Sequence, residues 1–239
     1  NIFFLLFFFY FHASTHATTH APHAMDVACS VCLVPFHGEY KSYGLGGTSV
    51  VQAGPINIEI PQLKNFAYLF GPPRKRVFYG KEYLVPRLEA VITNDDVCCG
   101  YSKDIPRFKW HGFFYRLRRE VCVMFDTRFN YAIVNFYRDG KDYVAAHCDD
   151  EVEIEQTRPI VTVSYGEART FRIRDKTNKK IVLDLKTGSG TVIAMYGENF
   201  QAHFTHEIAK QSANVVRSPR MSVTFRCVKG GKQKTFNLL

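Results

Sequence analysis

The chain has 239 residues, 46% of them hydrophobic and 22% charged, with 16 Gly and 10 Pro; disordered, collagen-like and coiled-coil chains are excluded by that composition. The length suits one domain with a full hydrophobic core, or such a domain with a modest extension. A formal net charge of +9 favours a polyanionic partner, nucleic acid foremost, over an acidic or neutral one.

Residues 1–24 contain no Asp, Glu, Lys or Arg, yet hold four of the nine His: His12, His16, His20 and His23. The apolar run 2–11 is too short for a membrane span, which needs about 20 residues, and no membrane association is expected. It has the length of a signal-peptide core without the basic flank that precedes one. The first Met is Met25, so the preferred reading is sequence translated upstream of a start at Met25. A targeting segment, to an organelle for example, and a functional arm are the alternatives. The seven Cys are odd in number and lack the spacing of a disulfide framework. That usage fits a reducing, intracellular compartment, nucleus or cytoplasm. Cys29 and Cys32, with His37 nearby, form half of a zinc site, and no second half follows at the usual spacing.

Residues 41–60 read as a Gly-rich loop feeding a short edge strand at Ile56, Ile58 and Ile60. Residues 72–80 read as a basic loop leading into a strand. Asp104 with Pro106 is expected to start a helix on which Trp110, Phe113, Phe114, Leu117 and Val121 recur at helical spacing. Arg116, Arg118 and Arg119 lie on its other face, which is solvated or, less commonly, a nucleic-acid contact. From Phe129 the period becomes two. Strands are predicted at 130–137, 143–149, 160–165, 170–174, 181–185, 191–195 and 221–228, separated by turn signals at Asp139-Gly140, Gly166-Glu167, Asp175-Lys176 and Gly188-Ser189-Gly190. Many short strands after one strong helix argue for a mainly β chain: N-terminal α/β additions on an antiparallel jelly-roll core. Three segments follow: residues 1–24, an N-terminal extension at 25–128, and the jelly-roll core at 129–239.

His147-Cys148-Asp149 places two ligand-type side chains at i and i+2, which on a strand share one face. His206 is the candidate third ligand and His203 its competitor. Two imidazoles and one carboxylate on one side of a metal leave the other side open, as suits an Fe(II) that must bind a cosubstrate and O₂. The segment 220–227 adds to this. Read with period two, Arg220, Ser222, Thr224 and Arg226 form one face, and Met221, Val223, Phe225 and Cys227 form the other. The apolar face is expected between the sheets. The polar face either meets solvent or puts two guanidinium groups inside a barrel, where unpaired charge is costly and a small dicarboxylate is the natural partner. Asn135 and Tyr137 offer further polar groups for the same ligand.

Taken together, Asn135-Phe136-Tyr137-Arg138-Asp139-Gly140, His147-Cys148-Asp149-Asp150-Glu151, His206-Glu207-Ile208 and 220–226 resemble the AlkB family, and the likeness runs from about Phe70 to Val228. Members are Fe(II)- and 2-oxoglutarate-dependent dioxygenases with a double-stranded β-helix core that oxidise N-alkyl groups on nucleic-acid bases. The resemblance implies that His147, Asp149 and His206 hold iron. It implies that Arg220 and Tyr137 hold the distal carboxylate of 2-oxoglutarate, with Arg226 and Asn135 nearer its chelating end. Ser222 stands where Asn is common in the family. The run Asp149-Asp150-Glu151 is similar to the eukaryotic-type homologues that act on 1-methyladenine and 3-methylcytosine, which makes Asp150 the expected base contact and Glu151 its neighbour. Arg169, in the pattern Ser164-Tyr165-Gly166…Arg169-Thr170-Phe171, is implied as a pocket residue. Arg74, with Lys75, Tyr79-Gly80 and Tyr101-Ser102, resembles the family's nucleotide-recognition lid, with Tyr101 stacking on an extracted base. The implied substrate is single-stranded or locally melted DNA or RNA, met by a monomer. The rivals are a protein or small-molecule hydroxylase on the same scaffold and a nucleic-acid-binding module with a dead barrel.

Overall fold

The computed structural model describes residues 40–230 apart from 95, 98, 198, 213 and 217. The expectations for residues 1–24 and for Cys29, Cys32 and His37 lie outside the described residues, as does the side chain of Tyr101.

From residue 130 onward the period-two sequence becomes strand. In chain order the strands are β1 (Lys41–Gly44), β2 (Val50–Pro55), β3 (Lys75–Phe78), β4 (Lys81–Leu84), β5 (Leu88–Thr93), β6 (Arg107–Phe108), β7 (Tyr131–Tyr137), β8 (Val144–His147), β9 (Ile160–Gly166), β10 (Arg169–Asp175), β11 (Ile181–Thr187), β12 (Thr191–Tyr196), β13 (Phe204–Ile208) and β14 (Arg220–Arg226). Helix α1 (Gly112–Met124) precedes β7, and the single turn α2 (Phe200–His203) precedes β13. The eight-stranded sheet runs β1-β2-β12-β9-β14-β7-β5-β6, the four-stranded sheet runs β11-β10-β13-β8, and β3–β4 stand as a separate hairpin. Pairing is antiparallel except between β5 and β6. The result is a mainly β chain with a double-stranded β-helix core. Among the described residues, no helix is long and apolar enough to cross a membrane.

The large sheet has two different faces. On its outer face Val161, Val163, Met221, Val223 and Phe225 pack against Phe113, Phe114, Leu117 and Val121 of α1. Each such side chain contributes about 1.5–3 kcal/mol by leaving water. Trp110 stacks on Phe225 with ring centroids 6.0 Å apart. A second cluster, with Ile133, Phe171, Ile173, Ile193 and Met195, lies between the two sheets. Met221, Val223 and Phe225 therefore pack on the helix and not between the sheets, because the inner face of β14 belongs to Arg220, Ser222, Thr224 and Arg226, all buried.

Other expectations change as well. The helix starts at Gly112 and not near Asp104, because Pro106 accepts a hydrogen bond from Val91 (2.8 Å) and draws 107–108 into the sheet as β6. Arg118 is not on the exposed face: its Nε donates to the Phe129 carbonyl at 2.5 Å and its guanidinium lies 4.9 Å from the Trp110 ring centre. Residues 56–60 form no strand; the strands are β1 and β2, turned through Gly46 and Gly47 at φ 101° and 58°. β2 pairs with β12, and β5 with β7, so residue 129 marks no boundary in the sheet.

Candidate active site

Strand pairing sets the two imidazoles. His206 on β13 is the direct cross-strand partner of His147 at the end of β8, and their ring centroids lie 4.2 Å apart. This strand was missing from the expected set. Its signal was the alternation Phe204, His206, Ile208, all buried. Asp149 reaches the same point from the loop after β8, its Oδ1 3.8 Å from His147 Nε2 and its Oδ2 3.9 Å from His206 Nε2. One potential ligand atom from each residue lies within 4.8 Å of the others. His203 is exposed and outside this group.

The protonation states suit a metal. Nδ1 of His147 donates to the Ala145 carbonyl at 3.0 Å, which leaves Nε2 with a lone pair. Burial, then the neighbouring His147, pushes the His206 pKa down to about 3, so its ring is neutral at ordinary pH. Burial alone would raise the Asp149 carboxyl, but the Arg226 guanidinium and the two imidazoles outweigh it and hold the pKa at about 2. Two neutral imidazoles and a carboxylate match the donor set of a non-haem Fe(II) site with open positions.

A cavity of about 310 Å³ joins this triad to the polar face of the large sheet. Arg220 is 1% exposed, its Nη2 donates to Ser164 Oγ at 2.8 Å, and its guanidinium lies 4.9 Å from the Tyr137 ring centre. Its Nε and Nη1 are buried without a hydrogen-bond partner. A buried guanidinium with two open N–H groups is unfavourable unless an anion meets it, and a carboxylate fits such a fork in bidentate fashion. Asn135, Tyr137, Ser222 and Thr224 line the same cavity. Arg226 faces the triad: Nη2 lies 2.5 Å from Asp149 Oδ1 and Nε 3.3 Å from Oδ2.

The expected substrate contacts divide. Glu151 lines the cavity, its Oε2 buried without a partner and its pKa raised by burial. Asp150 does not line it. The chain after β8 no longer alternates, and the Asp150 side chain is 62% exposed, taking a hydrogen bond from Cys148 Sγ at 3.0 Å and standing 3.7 Å from Lys176 Nζ. Arg169 is no pocket residue: it is fully buried, and its guanidinium donates to the carbonyls of Asp139, Asp142 and Ala209. Ser102 is fully buried too, tied to the Cys99 carbonyl and the Tyr131 hydroxyl. Arg74 is turned inward, its Nη2 2.6 Å from Glu89 Oε2. Glu89 also pairs with Arg87 at 2.7 Å, and Arg87 Nε donates to Asn135 Oδ1 at 2.8 Å. Arg87 and Glu89 both line the cavity, although nothing in their sequence context marked them.

A jelly roll that faces a two-histidine, one-carboxylate cluster across a cavity from a buried, half-partnered arginine defines an iron oxygenase with a dicarboxylate cosubstrate. Residues 90–226 match the family described as the 2OG-Fe(II) oxygenase superfamily. DNA oxidative demethylase ALKBH2 of Mus musculus is 29% identical over 167 residues, 66% of this chain and 69% of that protein. The Homo sapiens protein of the same name is 28% identical over 171 residues, covering 68% and 64%. Alpha-ketoglutarate-dependent dioxygenase alkB homolog 3 of Mus musculus is 33% identical over 135 residues, covering 52% of this chain and 45% of that one. The chain thus spans less than two thirds of several of these relatives. A solved structure titled "The structure of OsALKBH1" aligns with a TM-score of 0.49 at 12% identity, over 78% of this chain and 99% of that one. This chain belongs to the 2OG-Fe(II) oxygenase superfamily, and the relatives it is similar to are AlkB homologues. It is a dioxygenase whose cofactors are Fe(II) and 2-oxoglutarate.

Proposed function

We propose that the enzyme oxidatively demethylates N-alkylated bases of the 1-methyladenine and 3-methylcytosine type in single-stranded or locally melted DNA or RNA, releasing formaldehyde, succinate and CO₂. The observation that carries this reading is Glu151, a carboxylate with a buried, unpartnered oxygen in the same cavity as the triad. Such a group asks for a donor, and the exocyclic amine of a cationic base supplies one. Charge supports it. Arg87, Arg220 and Arg226 line the cavity against the carboxylates of Glu89, Asp149, Glu151 and Glu207. Fe(II) and the 2-oxoglutarate dianion would balance one another, leaving the cavity net negative and suited to a methylated cation.

Bound iron and cosubstrate supply the oxidising chemistry, coupling O₂ reduction to decarboxylation of 2-oxoglutarate. The chain's own residues position and enclose. His147, Asp149 and His206 would hold iron, Arg220 the distal carboxylate with Tyr137 beneath it, and Glu151 the base edge. No acid–base pair is needed.

The hairpin β3–β4 supports a nucleic-acid partner. Its backbone closes where Val85 N donates to the Arg74 carbonyl at 2.8 Å, and Lys75, Arg76 and Lys81 along it are exposed. Tyr79 at the tip is 92% exposed. Its φ of 49° is left-handed, a conformation that Asn or Gly adopts more readily. An exposed aromatic kept in a strained turn among cations fits a base-stacking contact. The named relatives point to the same substrate class. It implies a nuclear or cytoplasmic site of action.

The test is mass spectrometry of a single-stranded oligonucleotide carrying one 3-methylcytosine, incubated with Fe(II), 2-oxoglutarate and ascorbate, with His206→Ala in parallel. Loss of the methyl group with the native protein alone supports the reading. Succinate production without demethylation points to another substrate, as for a protein or small-molecule hydroxylase. No turnover by iron-loaded protein overturns the enzyme.

A further inference from the structure

The three triad residues are not held alike. His147 and His206 are paired across β8 and β13. Asp149 has no such support: β8 ends at His147, and Asp149 lies in the following loop, 1% exposed. Buried main chain outside a ladder must find other partners. Here both partners are side chains. Asp149 N donates to Gln201 Oε1 at 2.9 Å, and Gln156 Nε2 donates to the Asp149 carbonyl at 2.8 Å. Two glutamines, one from α2 and one from the loop before β9, thus grip both main-chain polar groups of one residue.

The Gln201 end of the grip is anchored in turn. Lys176, in the turn between β10 and β11, donates through its main chain to the His203 carbonyl at 2.8 Å and through Nζ to the Gln201 carbonyl at 2.6 Å. The single turn α2 therefore does not depend on its own short ladder for its position.

We infer that Gln201 and Gln156 are positioning residues that hold Asp149 for the metal and so set the protein's metal affinity. The reason is competition. Arg226 already binds the Asp149 carboxylate through two nitrogens. A carboxylate on a loose loop would settle wholly onto that guanidinium and be lost to the metal. A carboxylate whose main chain is fixed on both sides has one small volume to explore, and that volume adjoins the two imidazoles. Groups that orient a metal ligand without touching the metal typically account for about 10–100-fold in affinity.

The inference rests on His147, Asp149 and His206 being the metal ligands. Co(II) is the probe, titrated into the full chain and followed by its d–d absorption. The variants are Gln201→Met, which keeps bulk but removes the acceptor; Gln201→Glu, which keeps the acceptor; Gln156→Met; and His206→Ala. Gln201→Met and Gln156→Met are each expected to weaken Co(II) binding about 10–100-fold and to alter the absorption envelope, while Gln201→Glu stays near native. Should Gln201→Met fail to fold, the half-buried Gln156 carries the test. Native affinity and spectrum in both Met variants, with binding abolished in His206→Ala, overturn the inference. Native binding in His206→Ala overturns the ligand assignment instead.

Discussion

Arg226 and Asp149 are joined by a 2.5 Å contact between Nη2 and Oδ1, each side chain almost wholly buried. The arginine comes from the middle of the large sheet and the aspartate from the loop after β8 in the small one. This ion pair ties the polar wall of the cavity to the metal-binding cluster, and breaking it strands a charge in a dry place.

Arg226→Met should therefore destabilise the metal-free protein by about 3–5 kcal/mol at neutral pH. The Asp149 pKa is held at about 2 against an ordinary 3.8, so the stability from its ionised form is fully present above 3.8 and is lost as pH falls towards 2. Denaturant unfolding should show the gap between native and variant narrowing as pH falls below about 4.

His206 acts in the same direction over a higher window. Its pKa falls from 6.5 to about 3 on folding, so between those values the unfolded chain binds the extra proton. The metal-free protein should lose stability as pH drops through that window, on the order of 1 kcal/mol per pH unit. His206→Phe should flatten that part of the profile in calorimetric unfolding.

Arg220 is a cost to the protein without its cosubstrate. Arg220→Met removes a buried cation with two unpartnered N–H groups, so the cosubstrate-free variant should melt no lower than native. Native protein with metal and 2-oxoglutarate at 100 times its Kd should gain about 2.7 kcal/mol. The variant should gain none of the cosubstrate's share.

Arg169 should behave oppositely. Arg169→Met strips the donor from three carbonyls and should cost about 3 kcal/mol or more. At temperatures where the variant stays folded, its KM for 2-oxoglutarate should match native, since the side chain does not reach the cavity.

Tyr79→Asn separates binding from folding. Asn suits a left-handed turn position better than Tyr, so thermal stability should hold or rise slightly. Affinity for a single-stranded oligonucleotide should fall by about 1–3 kcal/mol, with 2-oxoglutarate turnover in the absence of nucleic acid unchanged.

Much of this site was legible in the residues themselves. The polar and apolar faces of β14 were visible as alternation; His147 and Asp149 were visible as a pair at i and i+2, although Asp149 reaches the site from the loop past the end of β8 and not from a shared strand face. Alternation separates two faces but does not say what covers each, which is why Met221, Val223 and Phe225 were expected between the sheets and lie against α1. It also stops where a strand stops. Past His147 the loop turns Glu151 inward and Asp150 outward, opposite to the expected order of importance. Arg169 and Ser102 were misread for another reason. A polar side chain satisfied by backbone carbonyls looks, in one dimension, like one meant for a ligand. Gln201 and Gln156 carried no signal, since each meets main-chain atoms of Asp149, which no side-chain pattern marks, and Gln201 does so from 52 residues away.

Trp110 is the chain's one tryptophan, and it lies flat on Phe225, on the back of the strand that carries Arg220 and Arg226. Its fluorescence therefore comes from a single known place. Separation of α1 from the large sheet would wet the indole and shift its emission to the red. The protein thus carries its own optical gauge, needing no added label, of whether the platform beneath the two arginines is intact.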